Sequence, residues 1–418
     1  MHPGMKVARA TLRGLPANPR RCFSATAFCR RPFEERDYVL LKKKRGYDDQ
    51  GTLCKLKSGH SYHNHFGVIH HNDIIGKEPR QVVKCGSNEY RIHEPTLADY
   101  VRLTPRLVTP IYPHDANLIV SLLDIHVDTY ASSADSPPME ILEAGTGHGA
   151  LTLHLSRALH AGNPPPPPPK SPAFDDEQNM EDAVYDGAGL DELNQKSWQD
   201  DRRAILHSLD ISAKHSKHAR KIVAGFKRGM YARNVDFHVG DVSAWIAQQK
   251  ASRKTDDPFL SHVFLDLPSS QSHLANVAPA LHPNGMLAVF NPSITQIGEC
   301  VDEIRKQHMP YVLEQVVELG VGTVREWDVR QVKPRATLKK PLGVESEPSS
   351  PSTGPVDPEK EQQARDGELA EELLEKQEEE KWAMICRPKA GQMVVGGGFL
   401  GLWRRMERSS TADSQAEA

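Results

Sequence analysis

Three aspartates that follow apolar runs, and one glycine-rich turn, carry the chemistry this sequence offers. The turn lies in Met139-Glu-Ile-Leu-Glu143-Ala-Gly145-Thr146-Gly147-His-Gly149-Ala150-Leu151. An apolar run ends on an acid, three glycines alternate, and a helical pattern begins at once. Glycine allows a sharp turn and lets a ligand approach backbone N–H groups where a Cβ would clash. No lysine follows the last glycine, which argues against a phosphate-cradling P-loop. The acids are Asp210, Asp241 and Asp266, each at the end of a β-like run. Together they suit a ligand with ribose hydroxyls, an adenine amine and a cationic centre, a description that S-adenosylmethionine fits. A dinucleotide carries a pyrophosphate and favours G-x-G-x-x-G, whereas the spacing here is G-x-G-x-G.

Such groups need a scaffold that gathers strand ends. The runs Ala204–Leu209, Val235–Val239, His262–Leu265 and Gly285–Phe290 read as strands, and helical patterns, notably Lys214 to Gly229, separate them. Alternation of this kind predicts a parallel sheet of βαβ units, with ligands bound beyond the strands' carboxyl ends. The ribose-binding carboxylate normally lies about 20 residues past the glycine turn. Asp210 is 61 positions beyond Gly149, but residues 162–201 read as an insertion in which six prolines follow Asn163 and an acidic tract comes next. Removing those 40 residues leaves 21 and restores the spacing. Polyproline and acidic segments bury too little to offset ordering entropy, so a disordered or extended surface loop is expected. A second acidic insertion is read at 339–380, where the run from Glu368 to Lys381 has the pattern of a solvated helix of mixed charge.

Further segments extend the pattern upstream and downstream. They are Gly67-Val-Ile-His-His-Asn-Asp-Ile-Ile-Gly76, Tyr90-Arg-Ile-His-Glu-Pro95-Thr-Leu-Ala-Asp99-Tyr100, Arg106-Leu-Val-Thr-Pro-Ile-Tyr112-Pro-His-Asp115, Leu265-Asp266-Leu-Pro268 and Asn291-Pro-Ser-Ile-Thr-Gln296. With these, most of residues 37–335 resembles the tRNA adenine-N1-methyltransferase family that modifies position 58, and in particular its catalytic subunits of mitochondrial type. The glycine turn alone is shared by many methyltransferases; Tyr112-Pro-His-Asp115 and Asp266-Leu-Pro268 together are far more specific. The resemblance implies an α/β fold: a Rossmann-like S-adenosylmethionine-dependent methyltransferase with a mostly parallel seven-stranded sheet, preceded by a small β-domain. It also implies tRNA as partner and a tetramer, either of one chain or with a non-catalytic subunit. Expected boundaries are 37–100 for the β-domain, 101–335 with 381–406 for the catalytic domain, and 407–418 for a disordered tail.

Carried over residue by residue, Gly145, Gly147 and Gly149 would line the methionine and ribose portions of the cofactor, with Glu143, Thr146, Ala150 and Leu151 in the same set. Asp210 would hold the ribose hydroxyls, with His215 beside it, and Asp241 and Val242 would contact the adenine. Asp266 takes the position of the family's catalytic carboxylate. Adenine N1 has a free lone pair and needs no strong base. Methylation makes the ring cationic and acidifies the exocyclic amine, so a carboxylate accepting that amine's hydrogen bond orients N1 and stabilises the developing charge. The target base has to be extruded from folded tRNA first. Tyr112 and Pro268 would stand on the substrate side, and Asp115 would position the Tyr112 loop.

The chain departs from the family pattern at three points. The usual Asp-x-Pro-x-Pro-Trp becomes Asp266-Leu-Pro-Ser269-Ser270-Gln271, a softer and smaller wall beside the target base. His148 stands where serine is common, and Gly396-Gly-Gly398-Phe-Leu400 lacks a histidine often found there. These changes bear on substrate fit and rate more than on cofactor binding. They leave open a methyltransferase acting on another RNA or on a protein, and a cofactor-binding but inert RNA-binding subunit. Non-catalytic subunits generally lose both the glycine turn and the aspartate, and both survive here.

Composition narrows the class further. The 418 residues, 38% hydrophobic, suffice for two or three domains, and no apolar run approaches a membrane span. A net charge of −3 is not that of a protein that coats nucleic acid. Lys214, Lys217, Arg220, Lys221, Lys227, Arg228 and Arg233 nevertheless form a run that could follow a phosphate backbone, or simply a solvated helix face. Residues 1–33 hold seven Lys and Arg, no acid and no long apolar stretch, which fits a mitochondrial (matrix) transit peptide that stays disordered. Six cysteines without C-x-x-C pairing argue against a disulfide framework. His60, His63, His65, His70 and His71 crowd together, but no cysteine or carboxylate joins them at zinc-ligand spacing, so no metal is expected. Ser269 and Ser270 lack the glycines of a nucleophile elbow.

Overall fold

The computed structural model describes residues 31–44, 51–129, 137–165, 198–320, 327–332, 383–388 and 397–407. The chain divides into two compact units, one of Met1–Leu319 with Gly396–Ala418 and the other of Gly320–Val395. In the second, β13 (Trp327–Val332) pairs antiparallel with β14 (Ala383–Pro388). The expected catalytic segments 101–335 and 381–406 include both of these strands. The expected transit segment, the Glu368–Lys381 helix and the tail beyond Glu407 fall outside the described residues, apart from the few positions noted below.

The first unit opens with a small β-domain. β1 (Tyr38–Lys43), β2 (Thr52–Lys55), β5 (Val82–Cys85) and β6 (Asn88–His93) form a sheet in the order β2-β1-β6-β5, and β3 (Ser61–Asn64) and β4 (Gly67–His70) make a separate hairpin. Alternation of period two turns Val39, Leu41, Val83, Cys85, Tyr90 and Ile92 into one core. Phe33 joins that core at 3% exposure, and backbone hydrogen bonds tie it to Lys77 and Gly76. Arg31 bridges Glu34 and Asp37. The expectation that disorder runs through residue 33 is corrected at these positions: the aromatic ring finds an apolar pocket that the chain's first strands provide.

Seven strands make the large sheet: β7 (Met139–Ala144), β8 (Ala204–Asp210), β9 (Val235–Val239), β10 (Leu260–Leu265), β11 (Leu281–Asn291), β12 (Tyr311–Leu319) and β15 (Gly398–Arg405). Their order is β12-β15-β11-β10-β7-β8-β9, parallel except for β15, which runs antiparallel to β11 and β12. Each central strand sends alternate residues to opposite faces. Ile141, Leu206, Phe264 and Ala288 enter one apolar cluster, and Leu142, Leu209, Val263 and Leu287 the other. Burial on both faces explains why these strands read as near-continuous apolar runs.

Helices cover the sheet: α1 (Leu97–Leu103), α2 (Pro113–Leu122), α3 (Ala150–Leu159), α4 (Ala213–Gly225), α5 (Val242–Arg253) and α6 (Ile294–Lys306). A Thr96–Asp99 capping box starts α1. From α1, Tyr100 donates its hydroxyl to the Ile222 carbonyl at 2.8 Å and meets Tyr38 of the β-domain edge-on at 5.0 Å. Beyond α4 the chain kinks through Lys227 and Arg228, whose φ of 43° and 57° are left-handed. The kink aims the Arg228 guanidinium at Asp37 (2.7 Å) and Glu34 (2.8 Å) of the β-domain. Arg228 is thus a structural clamp, Lys227 lies 3.8 Å from Glu94, and Arg220 stacks over Phe237, so the basic run is not one free stripe.

The ends of the 162–201 insertion belong to the fold. Asn163 is buried, accepts from the Arg203 and Ala204 N–H groups and donates to Asn234. Trp198 is 8% exposed and lies between the Arg202 and Arg233 guanidiniums, at 5.9 and 5.8 Å. Residues 162–165 and 198–201 are thus part of the fold, and residues 166–197 of the expected loop lie outside the described residues.

Candidate active site

The site forms where β7, β8 and β10 end side by side. After Ala144 the backbone passes through Gly145, Gly147 and Gly149 with φ of 96°, 51° and 85°. Side chains rarely follow such a path. Packing adds a second reason at two positions. A Cβ on Gly145 would overlap the Asp266 carbonyl, and one on Gly149 would lie 3.1 Å from the Ala219 Cβ of α4. The turn is therefore pressed against the end of β10 on one side and α4 on another.

Asp210 ends β8. Its Oδ2 accepts the Gly147 N–H at 3.0 Å and its Oδ1 accepts the Ser212 N–H at 2.8 Å. The carboxylate is clamped to the glycine turn, and each oxygen keeps a lone pair for an incoming hydroxyl donor. His215, on the first turn of α4, places Nδ1 3.7 Å from Asp210 Oδ1. Asp266 follows β10, anchored by its N–H on the Ala144 carbonyl at 2.8 Å. Burial first, and the negative charge of Asp210 second, push the Asp266 carboxyl up to about 6. It remains ionised at neutral pH but sits close to its own titration.

Glu143 has a different place from the one expected. It is 1% exposed, and its Oε2 accepts the hydroxyls of Thr152 (2.7 Å) and Ser208 (2.9 Å). Burial drives its pKa up to about 8; the two hydroxyl bonds oppose that rise, while Asp266 and Asp210 reinforce it. Glu143 therefore lies behind the turn as a neutral acid and supports it from within. Thr146 joins the same network through Ser208 at 2.8 Å. Thr152 and Ser208 escaped the sequence reading because a hydroxyl inside an apolar run carries no spacing signal.

Other candidate residues divide by what they can offer. Ala150, Leu151 and Val242 bury their side chains in the core. As the first residues of α3 and α5 they contribute N–H groups that no earlier helical carbonyl accepts. Asp241 caps α5 through the Ala244 N–H at 3.0 Å and has its second oxygen 3.8 Å from His273. Tyr112 caps the start of α2 at its backbone and lies under the Arg106 guanidinium at 5.5 Å. Asp115 is buried in the first turn of that helix. Pro268 is exposed beside Asp266, and Ser269 follows with a left-handed φ of 56°. Ser270 is 1% exposed and donates its hydroxyl to the Leu267 carbonyl at 2.8 Å, which ties down the segment that departs from the family pattern. His148 is 2% exposed and contacts Thr104 at 3.3 Å; burial, then His218 and Arg106, push it down to about 4, so the ring is neutral. Among the clustered histidines, His71 is engaged by the Lys57 N–H and Cys54, and His70 by Ser61.

The set of groups fits an adenosyl sulfonium ligand. The turn is one that a Cβ would obstruct, Asp210 has acceptor capacity left for hydroxyls, and the two neighbouring aspartates suit a cation.

Comparisons with known proteins agree with this geometry. Residues 202–393 match the family model described as tRNA methyltransferase complex GCD14 subunit. The tRNA (adenine(58)-N(1))-methyltransferase TrmI of Thermus thermophilus is 29% identical over 293 residues, which is 70% of this chain and 88% of that protein. The tRNA (adenine(58)-N(1))-methyltransferase catalytic subunit TRM61 of Cryptococcus neoformans is 32% identical over 130 residues, 30% of this chain and 27% of that one. Among solved structures, a SAM-dependent O-methyltransferase from Thermotoga maritima superposes with a TM-score of 0.54 at 17% identity, covering 90% of this chain and 96% of its own. That likeness establishes the methyltransferase fold.

Proposed function

We infer that this chain is a member of the GCD14/TrmI family of tRNA methyltransferases, and that it methylates N1 of adenine in tRNA with S-adenosylmethionine as donor. The observation that carries the reading is the position of Asp266 at the end of β10, where its backbone packs against Gly145 and its carboxyl feels the negative charge of the ribose-binding candidate Asp210. When bound, S-adenosylmethionine supplies an electrophilic methyl group. The residues that would hold it are Gly145, Gly147 and Gly149 along the backbone, Asp210 at the ribose, and Asp241 with the Val242 N–H at the adenine.

The chain's own groups then account for selectivity and rate. Asp266 accepts the hydrogen bond of the target adenine's exocyclic amine, which turns N1 toward the glycine turn. As N1 gains its substituent the ring becomes cationic and the amine more acidic, so this bond strengthens as the charge develops. No general base has to remove a proton from N1. Glu143, held neutral by burial, adds no further negative charge behind the turn. Tyr112 and Pro268 flank the substrate side, and burial around the strand ends excludes the water that would screen the carboxylate.

Three finer points are part of the proposal. Position 58 is the target, the position given in the names of the Thermus thermophilus and Cryptococcus neoformans relatives. The working form is a tetramer, of this chain alone or with a non-catalytic subunit. The basic, acid-free stretch of residues 1–33 directs the chain to the mitochondrion. The experiment is methyl transfer by the purified full chain from labelled S-adenosylmethionine to an unmodified tRNA transcript, with the product mapped by reverse-transcription arrest. Arrest at position 58 that disappears in Asp266→Ala supports the function. Incorporation elsewhere, or equal incorporation by the variant, overturns it.

A further inference from the structure

We propose that the basic patch of the N-terminal sheet centred on Lys42, Arg80 and Arg91 docks the phosphate backbone of the tRNA whose base enters the site. The proposal rests on the function above and adds the surface that holds the substrate. On this sheet the residues of one face pack into the β-domain core, and Lys42, Arg91 and His93 lie on the other. Lys42 is paired directly opposite Arg91 across β1 and β6. Like charges in directly opposed positions repel and destabilise a sheet. Next to them, Leu40 is opposite His93, and the turn before β5 brings in Arg80, whose N–H donates to the Ile92 carbonyl at 2.7 Å.

Three observations mark the cluster as uncompensated. First, burial lowers the pKa of His93, and Arg80, Lys42 and Arg91 lower it further against the weaker opposite pull of Asp99. The three cations therefore converge on one point. Second, nearby acids are engaged elsewhere: Asp99 in the α1 cap and with Arg102, Glu89 with Lys44 at 2.6 Å, and Glu94 with Lys227. No ion pair to Lys42, Arg80 or Arg91 occurs among the described residues. Third, Arg80 keeps a left-handed φ of 77°, a conformation that glycine adopts more readily, yet a long cation stands there. A chain of net charge −3 that concentrates cations with no ion pair among the described residues, on a face at odds with its own cross-strand repulsion, presents a site for a polyanion.

Connectivity links this face to the candidate active site, which favours the RNA substrate as its occupant. β6 runs through the Thr96 cap straight into α1, which spans only ~10 Å. The segment after α1 carries Val108, whose Cγ2 would lie 3.3 Å from a Cβ on Gly147. One continuous stretch thus joins the basic face to the glycine turn. An RNA that delivers a base to Asp266 would carry its flanking phosphates past this face.

The test uses the full chain with Lys42→Gln and Arg91→Gln combined, and an unmodified tRNA transcript as probe. Dissociation constants are measured across a salt series, together with S-adenosylmethionine affinity and thermal stability. We expect tRNA affinity to fall at least ~5-fold and the log–log salt slope to become shallower by ~1.4–1.8, the contribution of two phosphate contacts. Cofactor affinity should be unchanged and thermal stability equal or higher, since the opposed cations are gone. Wild-type binding and methylation of tRNA with the same affinity and slope in the variant overturns the surface while the function stands. A wild-type chain that neither binds nor methylates tRNA overturns both. Salt-sensitive wild-type binding to anionic vesicles, lost in the variant while tRNA affinity is kept, assigns the face to a membrane and likewise overturns the proposal.

Discussion

The carbonyl of Asp266 packs against the Cα of Gly145, so closely that the position has no room for a Cβ. This contact joins the end of β10 to the turn after β7, and the Asp266 N–H reinforces it by donating to Ala144 at 2.8 Å. The candidate substrate-recognising group and the candidate cofactor-cradling backbone are thereby held together.

Gly145→Ala should break that unit. The new methyl would meet both a left-handed φ of 96° and the Asp266 backbone. We expect a loss of ~1–3 kcal/mol of stability, from strain of this kind, with cofactor affinity and turnover falling together. Calorimetric titration with S-adenosylmethionine and a chemical denaturation curve check it. A variant with native affinity would show that the packing is not needed.

Asp266→Asn should separate the two functions. Turnover is expected to drop ~10²–10³-fold, as for loss of one transition-state contact, with cofactor affinity nearly kept. In the wild type, kcat/KM for the methyl donor should fall as pH drops through about 6, because protonation removes the carboxylate that burial and Asp210 have raised to that value. The variant's residual activity should be flat there. An acid limb persisting unchanged in Asp266→Asn would assign it to another group.

Glu143 predicts an opposite trend in stability. In the native state it holds its proton up to about 8, while a free glutamate carboxyl releases it near 4.5. Between those values the folded chain binds more protons than the unfolded chain, so stability must fall as pH rises. Glu143→Gln cannot ionise, and should exceed the wild type at pH 9 by a margin on the order of a few kcal/mol. Urea midpoints measured at pH 5.5 and pH 9 decide it, and parallel curves for the two proteins would refute the neutral acid.

Arg228→Ala should loosen the β-domain from the catalytic domain. Burial alone would raise Asp37, but hydrogen bonds from Arg228 and the Glu34 N–H outweigh it and leave the carboxyl below its ordinary 3.8. That stabilisation is present above the ordinary value and is lost as pH falls through the depressed one. With Arg228 35% exposed, we expect a cost of only ~1–2 kcal/mol at pH 7, shrinking under acid conditions. A pH-independent difference in denaturation midpoint would assign the cost to lost packing instead.

Removing residues 1–33 should destabilise the β-domain more than removing residues 1–30. The longer deletion takes away Phe33, 3% exposed, and with it ~2 kcal/mol or more of apolar burial, together with the Arg31 bridge to Asp37. Thermal melts of the two truncated chains suffice. Equal midpoints would show that the ring contributes nothing to the core.

What the sequence determined by itself was local. The glycine turn, the apolar runs and the acids behind them follow from backbone sterics and strand periodicity, which need only neighbouring residues to be read. The 21-residue spacing from Gly149 to Asp210 was recoverable because proline and acid composition marks an insertion. Tertiary structure alone decided the ionic states and the pairings. Glu143 looked like a ligand contact, and only its closure behind Thr152 and Ser208 makes it a neutral support. Arg228 looked like one member of a basic run, and a kink of two left-handed residues turned it into a clamp on Asp37. Lys42 and Arg91 stand far apart in the chain and become neighbours only through sheet register. Burial and long-range pairing set these charges, and neither leaves a mark on the residues next door.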